Sequence, residues 1–199
     1  LLHLIQEVHK VEGIRRIRLG SLEPGIIDEN FVKELAKLEK ICPHFHLSLQ
    51  SGCDATLKRM NRKYTAEEYK HKCDLLRKVY GNPALTTDVI VGFPQESEEE
   101  FEESRAFVED IHFFETHIFK YSRREGTRAA AMPDQIDEQI KATFCWNWTR
   151  DGDRNIWKAS SEKSWKCSWK KKSRSTASVT GRDIRENICA LPFFRKKIS

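Results

Sequence analysis

The sequence predicts an α/β fold built on a parallel sheet, and three observations lead to this prediction. Segments with helical and with strand periodicity alternate along the chain, and turn or capping residues separate them. Leu, Ile, Val and Phe make up 48 of the 199 residues, which is enough for a hydrophobic core. The length itself suits one domain of ordinary size.

The first part of the chain contains two helices with a strand between them. Apolar residues at helical spacing predict a helix over residues 1–11, and Gly13 ends it. A short apolar run over residues 14–19 predicts the first strand. Asp28 is a typical N-cap for the next helix, which we expect Pro43 to end.

The alternation continues to the end of this region. The further predicted elements are a strand over 45–49, a short helix over 54–60, strands over 87–93 and 116–121, and a helix from Asp134. Two capping boxes, Thr65 with Glu68 and Ser97 with Glu100, open the two longer helices between those strands. Strands that alternate with helices pair in parallel through right-handed crossovers.

Ligands of such sheets bind at the carboxyl ends of the strands. The four predicted strand ends are followed by residues 20–24, 50–52, 92–96 and 121–124. Each of these segments combines a small residue with a hydrogen-bonding one, which is the composition expected around a bound ligand. We call these four segments the rim.

Four stretches of the chain resemble the radical S-adenosylmethionine methylthiotransferases of tRNA. Three shorter runs, HLSLQSGCD, GFPQE and KYSRREGTRAA, are most similar to the branch that modifies carbon 2 of N6-threonylcarbamoyladenosine beside the anticodon. The isopentenyladenosine branch is the alternative. The four stretches are RIRLGSLEP (16–24), CPHFHLSLQSGCDATLKRMNRKYT (42–65), TTDVIVGFPQE (86–96) and FKYSRREGTRAAAMPDQI (119–136).

The resemblance implies the C-terminal portion of a partial (β/α)6 barrel, its third to sixth strands, which holds S-adenosylmethionine against a [4Fe-4S] cluster. In that family the cluster cleaves the cofactor to a radical, and three cysteines of a CxxxCxxC loop hold the cluster. The six cysteines of this chain form no such triplet. We therefore expect this piece of the catalytic domain to lack the cluster and to be inactive.

The resemblance also implies a cofactor wall at the rim, although no catalytic residue can be assigned from the sequence. The strand from Asp88 to Gly92 would lie against the adenine. Gln50 and Ser51 would face the ribose and the methionyl part of the cofactor, with Ser21 and Glu23 beside them. The alternative for each residue is a strand-end cap that satisfies loop amides. The cofactor-binding candidates are Ser21, Glu23, Gln50, Ser51, Asp88, Ile90, Val91 and Gly92.

Two basic clusters are candidates for contacts with RNA phosphates, and the expected partner is a tRNA anticodon stem-loop. A solvated charged surface is the alternative explanation. His44 and His46 share a strand face, but without a third ligand we expect them to pack against Cys42 or a loop rather than bind metal. The first cluster is Arg59, Arg62 and Lys63, and the second is Lys120, Arg123, Arg124 and Arg128.

The composition changes after Ala142. Residues 1–142 carry 21 Lys and Arg against 25 Asp and Glu, whereas residues 143–199 carry 14 against 5. All five tryptophans lie in the second segment, which we predict to be a poorly structured basic tail. Reading one base earlier would turn residues 145–171 into a plausible amphipathic helix, so we interpret the tail as out-of-frame translation. An RNA-binding arm is the alternative.

The predicted function is therefore that of a piece of a tRNA-modifying transferase. The alternatives from other classes are a non-catalytic RNA-binding module and an unrelated β/α piece that binds a nucleotide. No stretch approaches the length of apolar sequence that spans a membrane, and the start of the chain lacks the layout of a signal peptide. We expect a cytoplasmic protein with reduced cysteines.

Overall fold

The computed structural model describes residues 1–148, and residues 149–199, with most of the predicted basic tail, lie outside the described part. The strands are β1 (Ile17–Leu22), β2 (Ile41–Leu47), β3 (Ala84–Val91) and β4 (Glu115–Lys120). The helices are α1 (Leu2–Lys10), α2 (Glu29–Ala36), α3 (Asp54–Arg59), α4 (Ala66–Tyr80), α5 (Glu98–Ile111) and α6 (138–148).

The four strands form one sheet in the order β1-β2-β3-β4, and every pairing is parallel. This confirms the predicted α/β class. The register is regular between β3 and β4, where Thr86 pairs with Glu115 and Val91 with Lys120. It is irregular between β1 and β2, where the partners of Ile17 and Leu19 are Ile41 and Phe45.

The two faces of the sheet have opposite character. Phe45, Leu47, Val89 and Val91 are almost fully buried on the face that the helices cover. Because side chains alternate along a strand, the residues between them lie on the other face. We call this second face the open face. It is lined by Arg18, His44, His46, Asp88, Ile90, His117 and Phe119.

The predicted caps are confirmed. The carboxylate of Asp28 accepts a hydrogen bond from the amide of Phe31 at 2.7 Å. Both capping boxes are complete, with the hydroxyl and carboxylate of each pair accepting from the other's backbone amide. Short-range signals of this kind identify the starts of helices well because the cap and the amide it satisfies lie within one turn.

The first two strands are displaced from their predicted positions of 14–19 and 45–49, because β1 spans Ile17–Leu22 and β2 spans Ile41–Leu47. Two predicted helix boundaries are also wrong. Pro43 does not end a helix, because α2 stops at Ala36 and Pro43 lies inside β2. A proline has no amide hydrogen to donate to a neighbouring strand. The register between β1 and β2 is irregular at this point, so no donor is required from Pro43. The last helix begins at residue 138, not at Asp134, whose φ of 53° is left-handed and whose carbonyl accepts from Gln95.

Helix α6 continues past Ala142, the position after which the composition changes and the poorly structured tail was predicted to begin. Phe144 and Trp148 are 8% and 4% exposed. The ring of Phe144 stacks on that of Phe101 with centroids 4.1 Å apart, and Trp148 meets the same ring edge-on at 5.5 Å. Residues 143–148 therefore pack with the folded part of the chain. None of the described helices combines the length and the apolar composition needed to cross a lipid bilayer.

Candidate functional site

The four rim segments meet at one edge of the sheet. Parallel strands place all their carboxyl ends on the same side, and backbone hydrogen bonds continue the ladder past the strand ends. The linking bonds run from Ser48 to Leu22, from Gln50 to Asp88, from Ile90 to Gln50 and from Tyr121 to Val91, at 2.8 to 3.1 Å. The residues predicted to line a common ligand site are thus neighbours.

The backbone of the rim is turned out of the regular strand conformation at four positions, one of which is Gln95 with a φ of 67°. Ser21, Gln50 and Gly92 have φ values of 53°, 74° and 72°. A left-handed residue other than glycine costs about 1–2 kcal/mol, and such residues concentrate at functional sites. The sequence gives no sign of this strain at Ser21 and Gln50, which are ordinary polar residues. Glu23 follows as an exposed residue at the start of a turn.

Ser51 is directed away from the rim. It is fully buried, and its hydroxyl accepts a hydrogen bond from the amide of Cys53 at 3.2 Å. The neighbouring amide of Gly52 donates to Ser104 on α5 at 2.7 Å. A Cβ on Gly52 would lie only 2.7 Å from Phe107, so the loop fits closely against α5. Ser51 has the geometry of a loop cap, whereas Gln50 is half-buried at the rim.

Successive residues of β3 face opposite sides of the sheet. Asp88 and Ile90 lie on the open face and are partly exposed. Val91 is fully buried in the core, so it can offer a ligand only its backbone. Gly92 ends the strand, and the aliphatic chain of Lys141 on α6 occupies the space where a Cβ would be, with Cγ at 2.3 Å from it.

Glu96 is a functional candidate that the sequence reasoning did not assign. Its carboxylate is 5% exposed and accepts hydrogen bonds from the amides of Gly92, at 2.5 Å, and Phe93, at 3.3 Å. Burial raises the pKa of Glu96 to about 7, against the opposing effect of these two amides. Glu96 therefore shapes the turn after β3. The acidic residue at the end of GFPQE was the available signal.

A polar row crosses the open face below the rim. His46 Nδ1 lies 3.0 Å from the hydroxyl of Thr86, and His46 Nε2 lies 3.4 Å from Asp88 Oδ2. On β1, the guanidinium of Arg18 lies 2.9 Å from His44 Nε2. Burial, and then the charge of Arg18, lower the pKa of His44.

The two histidines share a face, as the sequence predicts. Their polar partners lie on the open face, namely Arg18 and Thr86 for His44, and Thr86 and Asp88 for His46. Within residues 1–148, no group of three His, Cys, Asp or Glu side chains is placed to hold a metal ion.

Two residues of the first predicted basic cluster, Arg59 and Lys63, form hydrogen bonds with other side chains of the chain. The guanidinium of Arg59 pairs with the carboxylate of Glu100 through two nitrogens and also reaches Thr56. This pairing raises the pKa of Arg59. Arg62 is half-buried, and the ammonium of Lys63 donates to Asn61 at 3.0 Å on the surface. Lys63 is the most accessible cation of the three.

The second predicted cluster lies in an exposed loop at the rim, residues 121–128, which we call the arginine loop. Arg123, Arg124 and Arg128 are exposed. The loop is ordered by Thr127, whose hydroxyl donates to the carbonyl of Arg124 at 2.7 Å. Gly126 has a φ of 76°, which the turn requires. The loop surrounds an open depression lined by two of its arginines.

Comparison with known proteins gives the family. The model of the Radical SAM superfamily matches residues 1–108, which is more than half of the chain. The threonylcarbamoyladenosine tRNA methylthiotransferase MtaB of Bacillus subtilis is 46% identical over 132 residues, which cover 66% of this chain and 29% of that protein. The tRNA-2-methylthio-N(6)-dimethylallyladenosine synthase of Clostridium novyi is 41% identical over 140 residues, which cover 70% and 31%.

A solved structure supports the fold. Coproporphyrinogen III oxidase (HemN) from Escherichia coli, a radical SAM enzyme, superposes with a TM-score of 0.64 at 16% identity, covering 77% of this chain and 35% of that one. The chain spans less than a third of the length of the two curated relatives above. Radical SAM enzymes use S-adenosylmethionine and a [4Fe-4S] cluster. Because the superfamily model matches more than half of its sequence, and its parallel sheet agrees with that fold, this chain belongs to the radical SAM superfamily.

Proposed function

We propose that the chain is part of a tRNA methylthiotransferase that adds a methylthio group to carbon 2 of N6-threonylcarbamoyladenosine beside the anticodon. The main support for the proposal is structural. The four sequence stretches that resemble the methylthiotransferases contribute residues to one continuous rim at the carboxyl edge of the sheet. The threonylcarbamoyladenosine enzyme is among the relatives with similar sequence in these segments. A piece of such an enzyme would act on tRNA as its macromolecular substrate.

The rim fits S-adenosylmethionine. Ile90 offers an apolar surface on the open face. The backbone amide and carbonyl of Gln50 are both bonded to β3, so Gln50 would contribute its half-buried side-chain amide. Glu96 holds the Gly92 turn in place. When bound, S-adenosylmethionine supplies the radical chemistry of the superfamily. The residues of this chain would bind and orient its nucleoside.

The described residues do not fit a [4Fe-4S] cluster. Cys53 and Cys73 are buried, and burial raises the pKa of both thiols, to about 12 for Cys73. Cys42 and Cys145, the other two described cysteines, are partly buried and complete no ligand group. We therefore assign no residue between 1 and 148 to the cluster or to its chemistry.

Calorimetric titration with S-adenosylmethionine tests the cofactor part of the proposal. We expect saturable binding to the full chain and about a tenfold loss of affinity in Ile90→Asn, because the substitution removes apolar contact area from the proposed adenine surface. Glu115→Gln, on the same face at the opposite end of the sheet, is the control and should bind as the wild type does. Equal affinities of wild type and Ile90→Asn would contradict this placement.

Competition between anticodon stem-loops tests the substrate. Stem-loops that carry threonylcarbamoyladenosine, dimethylallyladenosine or unmodified adenosine should bind in that order of decreasing affinity. Tightest binding of the dimethylallyl form would assign the chain to the second group of relatives instead. Equal binding of all three would favour a non-catalytic RNA-binding module.

A further inference from the structure

An exposed aromatic ring stands on the open face next to the rim. Phe119 is 51% exposed although it lies within β4, between Ile118, which packs against the core, and Lys120. Its partner across the ladder is Ile90. A large apolar side chain in this position is costly to leave in water and marks a binding surface when it belongs to a wider patch.

The arginine loop beside this ring carries three positive charges and one negative charge, that of the exposed Glu125. Arg123, Arg124 and Arg128 form no salt bridge with any residue of the described part of the chain. Lys120 lies 3.5 Å from Glu138, which Lys141 also approaches at 2.7 Å. Because residues 1–142 contain more acidic than basic residues, the arginine loop is a local positive surface on an acidic body.

An aromatic platform bordered by cations is the combination that binds single-stranded nucleic acid. A base stacks on the ring while the flanking phosphates contact the cations. A sulfonium nucleoside such as S-adenosylmethionine carries no phosphate and a single carboxylate, so it would leave at least two of the three arginines without an anionic partner. An unpaired RNA base with its two phosphates uses both features.

We propose that Phe119 is the stacking platform for one unpaired base of the RNA substrate, with the arginine loop holding the adjoining phosphates. This inference rests on the proposed function, which makes RNA the partner, and it adds the residue that receives a loop nucleotide. His117, two residues earlier on the same face, stacks on His46 with ring centroids 6.2 Å apart and extends the flat surface towards β2.

The experiment uses the full chain and an anticodon stem-loop RNA with 2-aminopurine at each loop position in turn. We expect fluorescence quenching at one position in the wild type and its loss in Phe119→Ala. The same variant should bind the RNA between about five-fold and a hundred-fold more weakly. Phe119→Trp should keep both the affinity and the quenching, because it retains an aromatic face.

A matched control comes from Phe114, the residue immediately before the same strand. Phe114 is 47% exposed and lies near His44 at the amino end of the sheet, away from the arginine loop. Phe114→Ala should leave affinity and quenching unchanged. Phe119→Leu keeps an apolar side chain but no ring, so wild-type binding by this variant would contradict stacking. Circular dichroism of each variant shows whether the fold is intact.

The outcomes separate this inference from the proposed function. If the wild type binds RNA but Phe119→Ala binds equally well with the same quenching, the assignment of Phe119 as the stacking platform is wrong and the proposed function stands. If Phe119→Ala loses affinity for S-adenosylmethionine only, the ring belongs to the cofactor and the inference is overturned. If the wild type binds no RNA, the RNA partner itself is wrong.

Discussion

Glu96 makes the turn after β3 sensitive to pH. Its pKa in the folded chain is about 7, compared with an ordinary value of 4.5. The folded chain therefore retains a proton that the unfolded chain has already released. The free energy of unfolding should fall as the pH rises from about 4.5 to about 7, by about 3 kcal/mol in total for this one group.

Urea unfolding of wild type and Glu96→Gln at pH 5 and pH 8 measures this effect. The glutamine cannot ionise, so the stability of the variant relative to the wild type should be greater at pH 8 than at pH 5. Glu98→Gln, an exposed position at the start of α5, should show no such pH-dependent difference. A constant difference between wild type and Glu96→Gln at both pH values would show that the carboxyl titrates normally.

Single residues of the site were only partly predictable, because their contacts are distant in sequence. The sequence placed Arg59 in a basic cluster, but it could not show that Glu100, on another helix, neutralises it. It likewise placed Ser51 at a strand end without showing that the side chain turns towards α5. Gln50 and Gly92 do lie at the rim, because a local pattern locates the end of a strand to within a few residues and the ladder continues through Gln50.

At the scale of elements, the contact between β3 and α6 is unusually close. Gly92 has a φ of 72°, and a Cβ there would lie 2.3 Å from Lys141 Cγ. Alanine at this position should destabilise the chain by about 2–4 kcal/mol, through backbone strain and overpacking together. Lys141 is 4% exposed, so its aliphatic chain has little room to move away.

A double-mutant cycle with Lys141→Ala separates the two causes. Removal of Cγ should relieve the overpacking, so the combined destabilisation should be less than the sum of the single effects by about 1–3 kcal/mol. Gly81→Ala is the matched control, since Gly81 has a φ of 76° but no atom within 4 Å of the added Cβ. Additive effects at Gly92 and Lys141 would mean that strain alone limits this position.

The positions of helices and strands followed from local signals, and the exceptions have local causes. Capping boxes fixed the starts of α4 and α5 because both partners lie within one turn. Pro43 lies within β2 instead of ending a helix, because a proline is tolerated where the ladder is already irregular. The continuation of α6 to residue 148 depends on Phe101, whose ring is contributed by a helix much earlier in the chain.

At the scale of the whole molecule, parallel pairing determines where ligands can bind. The alternation of helices and strands along the sequence was sufficient to predict parallel pairing. Parallel pairing in turn places all four rim segments at one edge of the sheet. The open face was less predictable. Its polar row and exposed ring occupy positions that, in a sheet covered by helices on both sides, would carry apolar residues.

The distribution of charge over the molecule leads to the last prediction, which concerns the salt dependence of RNA binding. Residues 1–142 hold 21 basic and 25 acidic side chains, and residues 143–199 hold 14 and 5. Within residues 1–142 the average field repels RNA, so RNA binding by this part of the chain must depend on local cations. If Arg123, Arg124 and Arg128 each neutralise one phosphate, the slope of log affinity against log salt should become shallower by about 0.7 with each substitution by alanine.

Filter binding of an anticodon stem-loop at a series of salt concentrations measures these slopes in the full chain. Lys37→Ala is the control, because Lys37 is exposed but paired with Glu34 on α2, far along the chain from the arginine loop. It should leave the slope unchanged. Phe119→Ala should lower the affinity at every salt concentration with the same slope, since stacking releases no counterions. If the three arginine variants kept the wild-type slope, the phosphates would have to be held elsewhere, and the arginine loop would be only a solvated charged surface.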